Sequence, residues 1–164
     1  MRRPARAEGK SATSADAPIG EAFARRPGAR AAPDRLLRRV VVAEDDPDIS
    51  AVVALALGRV GGLDVTICHD GRAVLDLVPH LLPDLFLLDV MMPELGGLET
   101  LIRLKLEPRT ATIPVIFMTA RVRPCDLGAY YAEGAAGVIA KPFDPMTLSQ
   151  HLRKLYAESR HAAI

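Results

Sequence analysis

Residues 36–47 read LLRRVVVAEDDP, an apolar run that ends in three acidic residues and a proline. The apolar part predicts a β-strand over residues 36–43, because β-branched residues favour extended backbone. Asp46 then stands where its side chain can cap a helix, with Pro47 at the first helical position. That helix is predicted to run to about Val60, where a Gly-Gly pair stops it. The stretch therefore predicts a strand followed at once by a helix.

The same alternation continues along the chain and produces five strand–helix units. The further strands are predicted over residues 63–68, 84–88, 113–118 and 136–140, and the further helices over residues 71–80, 93–107, 124–133 and 144–158. The third strand is apolar in succession rather than in alternation, as in a parallel sheet that helices cover on both faces. Five such units with right-handed crossovers predict an α/β fold, a doubly wound five-stranded parallel sheet with five helices.

Composition divides the chain into a basic extension and an acidic domain. Residues 1–35 are rich in Ala, Arg, Pro, Gly and Ser and have almost no large apolar residues, which predicts a disordered extension. Residues 36–164 then form the one folded domain for which a chain of 164 residues has room. Residues 1–39 carry a net charge of +6, whereas residues 40–164 carry −5.

Charge and hydropathy argue against several classes of partner. An acidic domain is a poor surface for nucleic acid, whose binding relies on Lys and Arg that neutralise phosphates. No apolar run approaches the roughly 18 residues of a membrane span, and the N-terminus lacks the apolar core of a secretory signal. Cys68 and Cys125 form no metal-ligand or redox pair. These features predict a cytoplasmic protein with neither nucleic acid nor membrane among its partners.

Polar residues stand at the carboxyl ends of four predicted strands, which is where open parallel sheets bind their ligands. Glu44 and Asp45 follow strand one, Asp89 strand three, Thr119 strand four and Lys141 strand five. Three carboxylates at one edge repel one another unless a cation binds between them, and Mg²⁺ prefers such oxygen ligands. A lysine and a hydroxyl that face the central carboxylate favour an anionic group carried on Asp89. Taken singly, the same residues are typical of helix caps, turns and solvated surface charges.

Four short segments at these strand ends carry a wider pattern. They are residues 42–47 (VAEDDP), 87–93 (LLDVMMP), 118–120 (MTA) and 141–143 (KPF). Each is a weak signal alone, but together, in this order and at these separations, they closely resemble the response-regulator receiver family of two-component signalling. The resemblance covers about residues 38–158 and implies the flavodoxin-like receiver fold with strand order 2-1-3-4-5. It also implies a cis peptide bond before Pro142.

A magnesium site is the first functional implication of the resemblance. Asp45 matches the family's direct ligand, and Glu44 matches the second acid, which reaches the metal through water. Asp89 completes the acidic set, and Met91 would contribute only its backbone carbonyl. The implied cofactor is therefore Mg²⁺.

Phosphoryl transfer to Asp89 is the second implication. Asp89 matches the phosphoacceptor, Thr119 the hydroxyl that contacts the phosphoryl group, Ala120 its small neighbour and Lys141 the ammonium. The implied donor is a phosphohistidine of a sensor histidine kinase or a histidine phosphotransfer protein. The protein is then no enzyme in the usual sense, since it catalyses only its own phosphorylation and slow dephosphorylation.

The resemblance also bears on how the protein would signal. No residues remain after the last predicted helix for an output domain, so we expect a stand-alone, single-domain regulator. Such a regulator acts by contact with an unknown downstream protein or as a shuttle in a phosphorelay, as a monomer or weak homodimer. Val138 stands where the family commonly has an aromatic residue that transmits the signal, and we expect it to fill the core instead.

Two other functions stay open on the sequence alone. A haloacid-dehalogenase-like phosphatase also uses a strand-end Asp and magnesium, but Met91 occupies the place of its usual general acid. A degenerate pseudo-receiver would only bind partner proteins, and the complete set of acids together with Thr119 and Lys141 counts against it.

Overall fold

The computed structural model describes residues 36–162, so the extension predicted over residues 1–35 lies outside the described residues. The strands are β1 Arg39–Ala43, β2 Asp64–Cys68, β3 Leu85–Asp89, β4 Val115–Thr119 and β5 Gly137–Ala140. The helices are α1 Pro47–Ala54, α2 Gly71–Leu77, α3 Gly97–Leu106, α4 Pro124–Ala132 and α5 Leu148–Ala162, and a π-helical segment, Leu55–Val60, continues α1. In the described part of the chain no helix is long and apolar enough to cross a membrane.

The strands form one parallel sheet in the order β2-β1-β3-β4-β5, which confirms the predicted fold class and strand order. Successive residues of a strand point to opposite faces, so each central strand supplies two apolar layers. Val40 and Val42 pack with Leu57 and Leu152 on the face covered by α1 and α5. Val41 belongs to the opposite layer, under α2, α3 and α4. Apolar runs without alternation therefore indicated a sheet buried on both faces.

Several element boundaries differ from the predicted ones. β1 begins at Arg39 rather than Leu36, because its partner strand β2 begins only at Asp64. α3 begins at Gly97 rather than Pro93, because Glu94 has a φ of 58°, which a right-handed helix does not accommodate. The predictions for these two starts were wrong. The longer loop that results after β3 turns back to the end of that strand, so that Gly97 N–H donates to the Val90 carbonyl.

Two further helical predictions, the first and the last in the chain, also differ from the structure. The helix predicted over residues 144–158 starts at Leu148 and continues to Ala162. The residues before Leu148, which were predicted as the first helical turn, form a separate turn. In it, the N–H groups of Thr147 and Leu148 both donate to the Asp144 carbonyl. The helix predicted over residues 47–60 is divided between α1 and the π-helical segment, a change of hydrogen-bond spacing that apolar periodicity does not reveal.

Asp46 caps α1 as predicted, since its Oδ1 accepts hydrogen bonds from Asp48 N–H at 2.8 Å and Ile49 N–H at 3.0 Å. We expect Asp46→Ala to lower the free energy of unfolding by about 1 kcal/mol, the usual cost of losing a side-chain cap. Urea unfolding followed by far-UV circular dichroism measures this change. Asp46→Asn, which retains the accepting oxygen, is the control. A stability for Asp46→Ala equal to that of Asp46→Asn would contradict the role of the cap.

Candidate functional site

The carboxyl ends of the strands bring the predicted site residues to one edge of the sheet. Glu44 directly follows β1, Asp89 is the last residue of β3, Thr119 is the last residue of β4, and Lys141 directly follows β5. β1 pairs with β3, β3 with β4 and β4 with β5, so these strand ends are neighbours in space. A parallel sheet therefore converts residues far apart in sequence into one cluster.

Three carboxylates form the acidic part of this cluster. Oxygen atoms of Glu44, Asp45 and Asp89 all lie within 4.8 Å of one another. Glu44 is only 1% exposed and Asp89 6%, whereas Asp45 is exposed at the rim. Mg²⁺ takes a few carboxylate oxygens and retains several waters, so a donor set of oxygens that opens to solvent on one side fits this ion. The sequence prediction that these acids lie together is thus met by the geometry.

Lys141 supplies the positive charge within the cluster. Its Nζ donates to Glu44 Oε2 at 2.6 Å and to Asp89 Oδ2 at 2.8 Å. The Lys141–Pro142 peptide bond is cis, as the family resemblance implied. The bond to Asp89 matches the prediction that Lys141 faces this carboxylate, but the direct ion pair with Glu44 was not predicted. No pattern in the sequence indicates that Lys141 contacts Glu44 in addition to Asp89.

Burial changes the proton affinity of both groups in the Lys141–Glu44 pair. Burial raises the pKa of Glu44, and the ammonium of Lys141 only partly offsets this effect. Burial alone would lower the pKa of Lys141, but its hydrogen bonds to Asp89 and Glu44 outweigh burial and leave the pKa above its usual value. Lys141 therefore stays charged at neutral pH and neutralises part of a crowded acidic site.

The loop after β3 adds a donor that sequence reasoning missed. The backbone N–H of Met91 donates to Asp89 Oδ1 at 3.1 Å, so the two carboxylate oxygens of Asp89 have different partners. The side chain of Met91 is exposed and takes no part in this bond. The role predicted for the Met91 carbonyl as a metal ligand stays a prediction.

Thr119 lies at the end of the strand next to Asp89. Its side chain is fully buried, its Oγ1 accepts from Arg121 N–H at 3.0 Å, and its carbonyl accepts from Lys141 N–H at 2.9 Å. Ala120, the next residue, is exposed at the same edge. That the Thr119 hydroxyl contacts a phosphoryl group remains a prediction. The backbone hydrogen bond nevertheless links Thr119 directly to Lys141.

Val138 packs partly buried against the cluster that contains Phe117, which agrees with the expectation that it fills the core. The aromatic contact near it involves other residues: the rings of Phe117 and Tyr130 meet edge to face with centroids 5.2 Å apart. Tyr130 is buried, whereas Tyr131 remains half exposed on α4.

The two cysteines differ in accessibility, which leads to a direct chemical prediction. Cys68 is buried at the end of β2, and burial together with the charge of Asp70 raises the pKa of its thiol to about 11, whereas Cys125 is exposed on α4. Because the thiolate is the reactive form, we expect iodoacetamide at pH 8 to modify Cys125 and to leave Cys68 unmodified in the folded protein.

Intact mass after alkylation measures this difference, with modification of both thiols in guanidinium chloride as the positive control. The Cys125→Ser variant should gain no alkyl group while folded. The raised pKa also predicts that stability falls as pH rises above about 9, because the unfolded thiol ionises before the folded one. Rapid alkylation of folded Cys125→Ser would contradict the burial of Cys68.

Comparisons with known proteins agree with this geometry. The family model of the response regulator receiver domain matches residues 40–153. The DNA-binding dual master transcriptional regulator RpaA of Synechocystis is 36% identical over 117 residues, which are 71% of this chain and 48% of RpaA. The transcriptional regulatory protein TrcR of Mycobacterium tuberculosis is 35% identical over 123 residues, which are 75% of this chain and 47% of TrcR. The chain thus spans about half the length of these curated relatives.

Solved structures share the fold over nearly their whole length. The chemotaxis protein CheY4 of Vibrio cholerae superposes with a TM-score of 0.68 at 27% identity, covering 73% of this chain and 98% of CheY4. The receiver domain of the Francisella response regulator 1452 superposes with a TM-score of 0.66 at 27% identity, covering 74% of this chain and 98% of that domain. The residues that the family model matches include β2 to β5, all of β1 except Arg39, and every residue of the acidic cluster. The chain therefore belongs to the response regulator receiver domain family.

Proposed function

We propose that the domain accepts a phosphoryl group from a phosphohistidine onto Asp89 in a Mg²⁺-dependent reaction. The observation that carries this proposal is that Asp89 shares one cluster with the carboxylates of Glu44 and Asp45 and has the Lys141 Nζ 2.8 Å from its Oδ2. Asp89 is nearly buried but belongs to a cluster that opens to solvent at Asp45. A carboxylate in this position is held in place and is accessible to a phosphoryl donor.

The proposed step is a displacement at phosphorus. An oxygen of Asp89 forms the new P–O bond while the P–N bond to the donor imidazole breaks, and the imidazole nitrogen keeps the electron pair. Lys141 and the hydroxyl of Thr119 bind oxygens of the transferring group, and the Met91 amide holds the orientation of the carboxylate. Glu44, Asp45 and Asp89 would hold a divalent cation, which would supply further positive charge for those oxygens.

Positioning and electrostatics account for most of the catalysis in such a step. The protein is modified by the reaction it promotes, so it is not an enzyme in the usual sense, and slow loss of the phosphoryl group returns it to its starting state. The added negative charge on Asp89 attracts Thr119 and the loop that follows β4, which changes the surface offered to partners. By this route, a movement of Thr119 is transmitted to Lys141 through the backbone hydrogen bond between them.

The partners follow from this chemistry. The donor is a sensor histidine kinase or a histidine phosphotransfer protein, and the signal passes to a downstream protein by contact or through a phosphorelay. The relatives named as DNA-binding regulators are about twice as long as the matched region, so DNA binding is not carried over to this domain. We infer a cytoplasmic protein that is a monomer or weak homodimer.

The direct test is incubation of the purified chain with phosphoramidate, with and without Mg²⁺, followed by intact mass. We expect the mass of one phosphoryl group, only with Mg²⁺, in a linkage that hydroxylamine cleaves because it is an acyl phosphate. Peptide mapping should place the group on Asp89. No uptake from phosphoramidate or acetyl phosphate at any Mg²⁺ concentration would favour the pseudo-receiver, which only binds partners. Membership of the receiver family disfavours the haloacid-dehalogenase-like phosphatase.

A further inference from the structure

The start of α3 approaches the backbone of Asp89 more closely than any side chain permits. The loop after β3 turns back so that the N–H of Gly97 donates to the Val90 carbonyl at 3.1 Å. A Cβ atom on Gly97 would collide with the carbonyl oxygen of Asp89 and would lie 2.9 Å from its carbonyl carbon and 3.1 Å from Val90 Cα. Position 97 therefore has room for glycine alone while Asp89 stays where it is.

Backbone conformation does not explain this glycine. Gly62 and Gly134 adopt positive φ values of 65° and 97°, whereas Gly97 does not and begins a regular helix. Alanine has a higher helix propensity than glycine, so local preference alone would favour alanine at position 97. The close approach to Asp89 is the remaining structural reason for glycine at this position.

The loop cannot easily retreat from Asp89, because α2 supports it from the other side. The N–H of Gly71 donates to the Leu95 carbonyl at 3.2 Å, and the hydroxyl of Thr100 donates to the Gly96 carbonyl at 2.8 Å. A Cβ atom on Gly71 would itself collide with Thr100 and lie 2.6 Å from the Leu95 carbonyl. A methyl group at position 97 would therefore press on the backbone of Asp89, because α2 prevents the loop before α3 from moving away.

We propose that Gly97 is a positioning residue for Asp89: its missing side chain lets the start of α3 set the backbone position from which the carboxylate contacts Met91 and Lys141. Both contacts depend on where the end of β3 lies, since one reaches Oδ1 and the other Oδ2. A displacement of about 1 Å of a reacting group can slow a positioned reaction by about 10²-fold. This inference rests on the proposed phosphoryl transfer to Asp89.

The test compares Gly97→Ala with a matched control, Gly61→Ala. A Cβ atom on Gly61 would meet the Leu57 carbonyl and Ser149 Cβ, each at 2.6 Å, where the π-helical segment packs against α5. This clash lies in the layer opposite α3, so Gly61→Ala reports general destabilisation without pressure on Asp89. Thermal unfolding, the rate of phosphorylation by phosphoramidate, and the backbone N–H chemical shifts of Met91 and Asp89 without metal are measured for both variants.

We expect both variants to unfold at lower temperature but only Gly97→Ala to be phosphorylated at least about tenfold more slowly. The N–H signal of Met91 should shift in Gly97→Ala and stay in place in Gly61→Ala. Equal rates for Gly97→Ala and wild type, or equal losses in both variants, would overturn the proposal. If Gly97→Ala does not fold, Gly96→Ala applies a milder pressure to Val90, the residue after Asp89, with its Cβ 3.2 Å from the Val90 carbonyl. A Met91 signal that shifts in Gly96→Ala without slower phosphorylation would then overturn the proposal.

The chemical shifts separate this proposal from the proposed function. If wild type itself accepts no phosphoryl group, the phosphoryl transfer fails, whereas the shift of the Met91 signal still shows whether Gly97 positions Asp89. If wild type is phosphorylated and the Met91 signal of Gly97→Ala is unchanged, the positioning role fails and the function stands.

Discussion

Asp89→Asn is expected to accept no phosphoryl group from phosphoramidate under conditions in which the wild type is fully modified. Asparagine keeps the shape of the side chain and an oxygen that can accept from Lys141, but its amide is no nucleophile toward phosphorus. Loss of one negative charge should also weaken Mg²⁺ binding by about tenfold or more. Intact mass measures the first effect and isothermal titration calorimetry the second.

Asp64→Asn is the matched control for this experiment. Asp64 is an exposed carboxylate at the amino end of β2, away from the acidic cluster at the carboxyl edge of the sheet. Its replacement removes the same charge from the chain without touching the site, so phosphorylation and Mg²⁺ affinity should equal those of wild type. Phosphorylation of Asp89→Asn at another residue at the wild-type rate would reject Asp89 as the acceptor.

The fold was predictable because its signals are local and repeated. Each buried strand is a short apolar run, each helix has its own apolar stripe, and five such units allow few arrangements. The boundaries at Glu94 and Asp144 were not predictable in the same way. The positive φ at Glu94 and the separate turn at Asp144 are backbone conformations of loops, and neither affects the apolar periodicity of the sequence.

The candidate site was predictable as a set of residues but not as a set of contacts. Strand ends identify Glu44, Asp89 and Lys141, because the topology of a parallel sheet brings them together whatever the side-chain details. The bond from the Met91 amide involves backbone, which has no residue signature. The role proposed for Gly97 likewise depends on a distance between two backbones, and a Gly-Gly pair at the start of a helix does not reveal that distance.

Lys141→Met should have the second largest effect, on chemistry and on stability together. Methionine retains a flexible apolar stem of similar length but removes the ammonium that contacts Asp89 and Glu44. Loss of one such group facing a transferring phosphoryl is expected to slow phosphorylation by about 10²–10³-fold. Time courses of intact mass with phosphoramidate at saturating Mg²⁺ measure this loss.

The stability effect of Lys141→Met arises at Glu44, whose side chain is only 1% exposed. Removal of one partner of a buried ion pair leaves an uncompensated charge, and the usual cost is about 3–5 kcal/mol of unfolding free energy. Lys154→Met is the control, because the Lys154 side chain is 73% exposed and its Nζ lies 4.0 Å from Glu158 Oε1. We expect its unfolding free energy to change by less than about 0.5 kcal/mol. Equal losses in the two variants would contradict a buried ion pair at Glu44.

The pH dependence of Lys141→Met distinguishes a buried charge from simple loss of packing. Burial already raises the pKa of Glu44 in the wild type, and removal of the ammonium raises it further. A carboxyl whose pKa is higher in the folded than in the unfolded state destabilises the fold above its folded pKa, and this penalty disappears as pH falls and the group is protonated. Lys141→Met should therefore differ most from wild type at neutral pH and approach it in acid. A loss of packing would stay the same across this range, and urea unfolding at several pH values decides between the two.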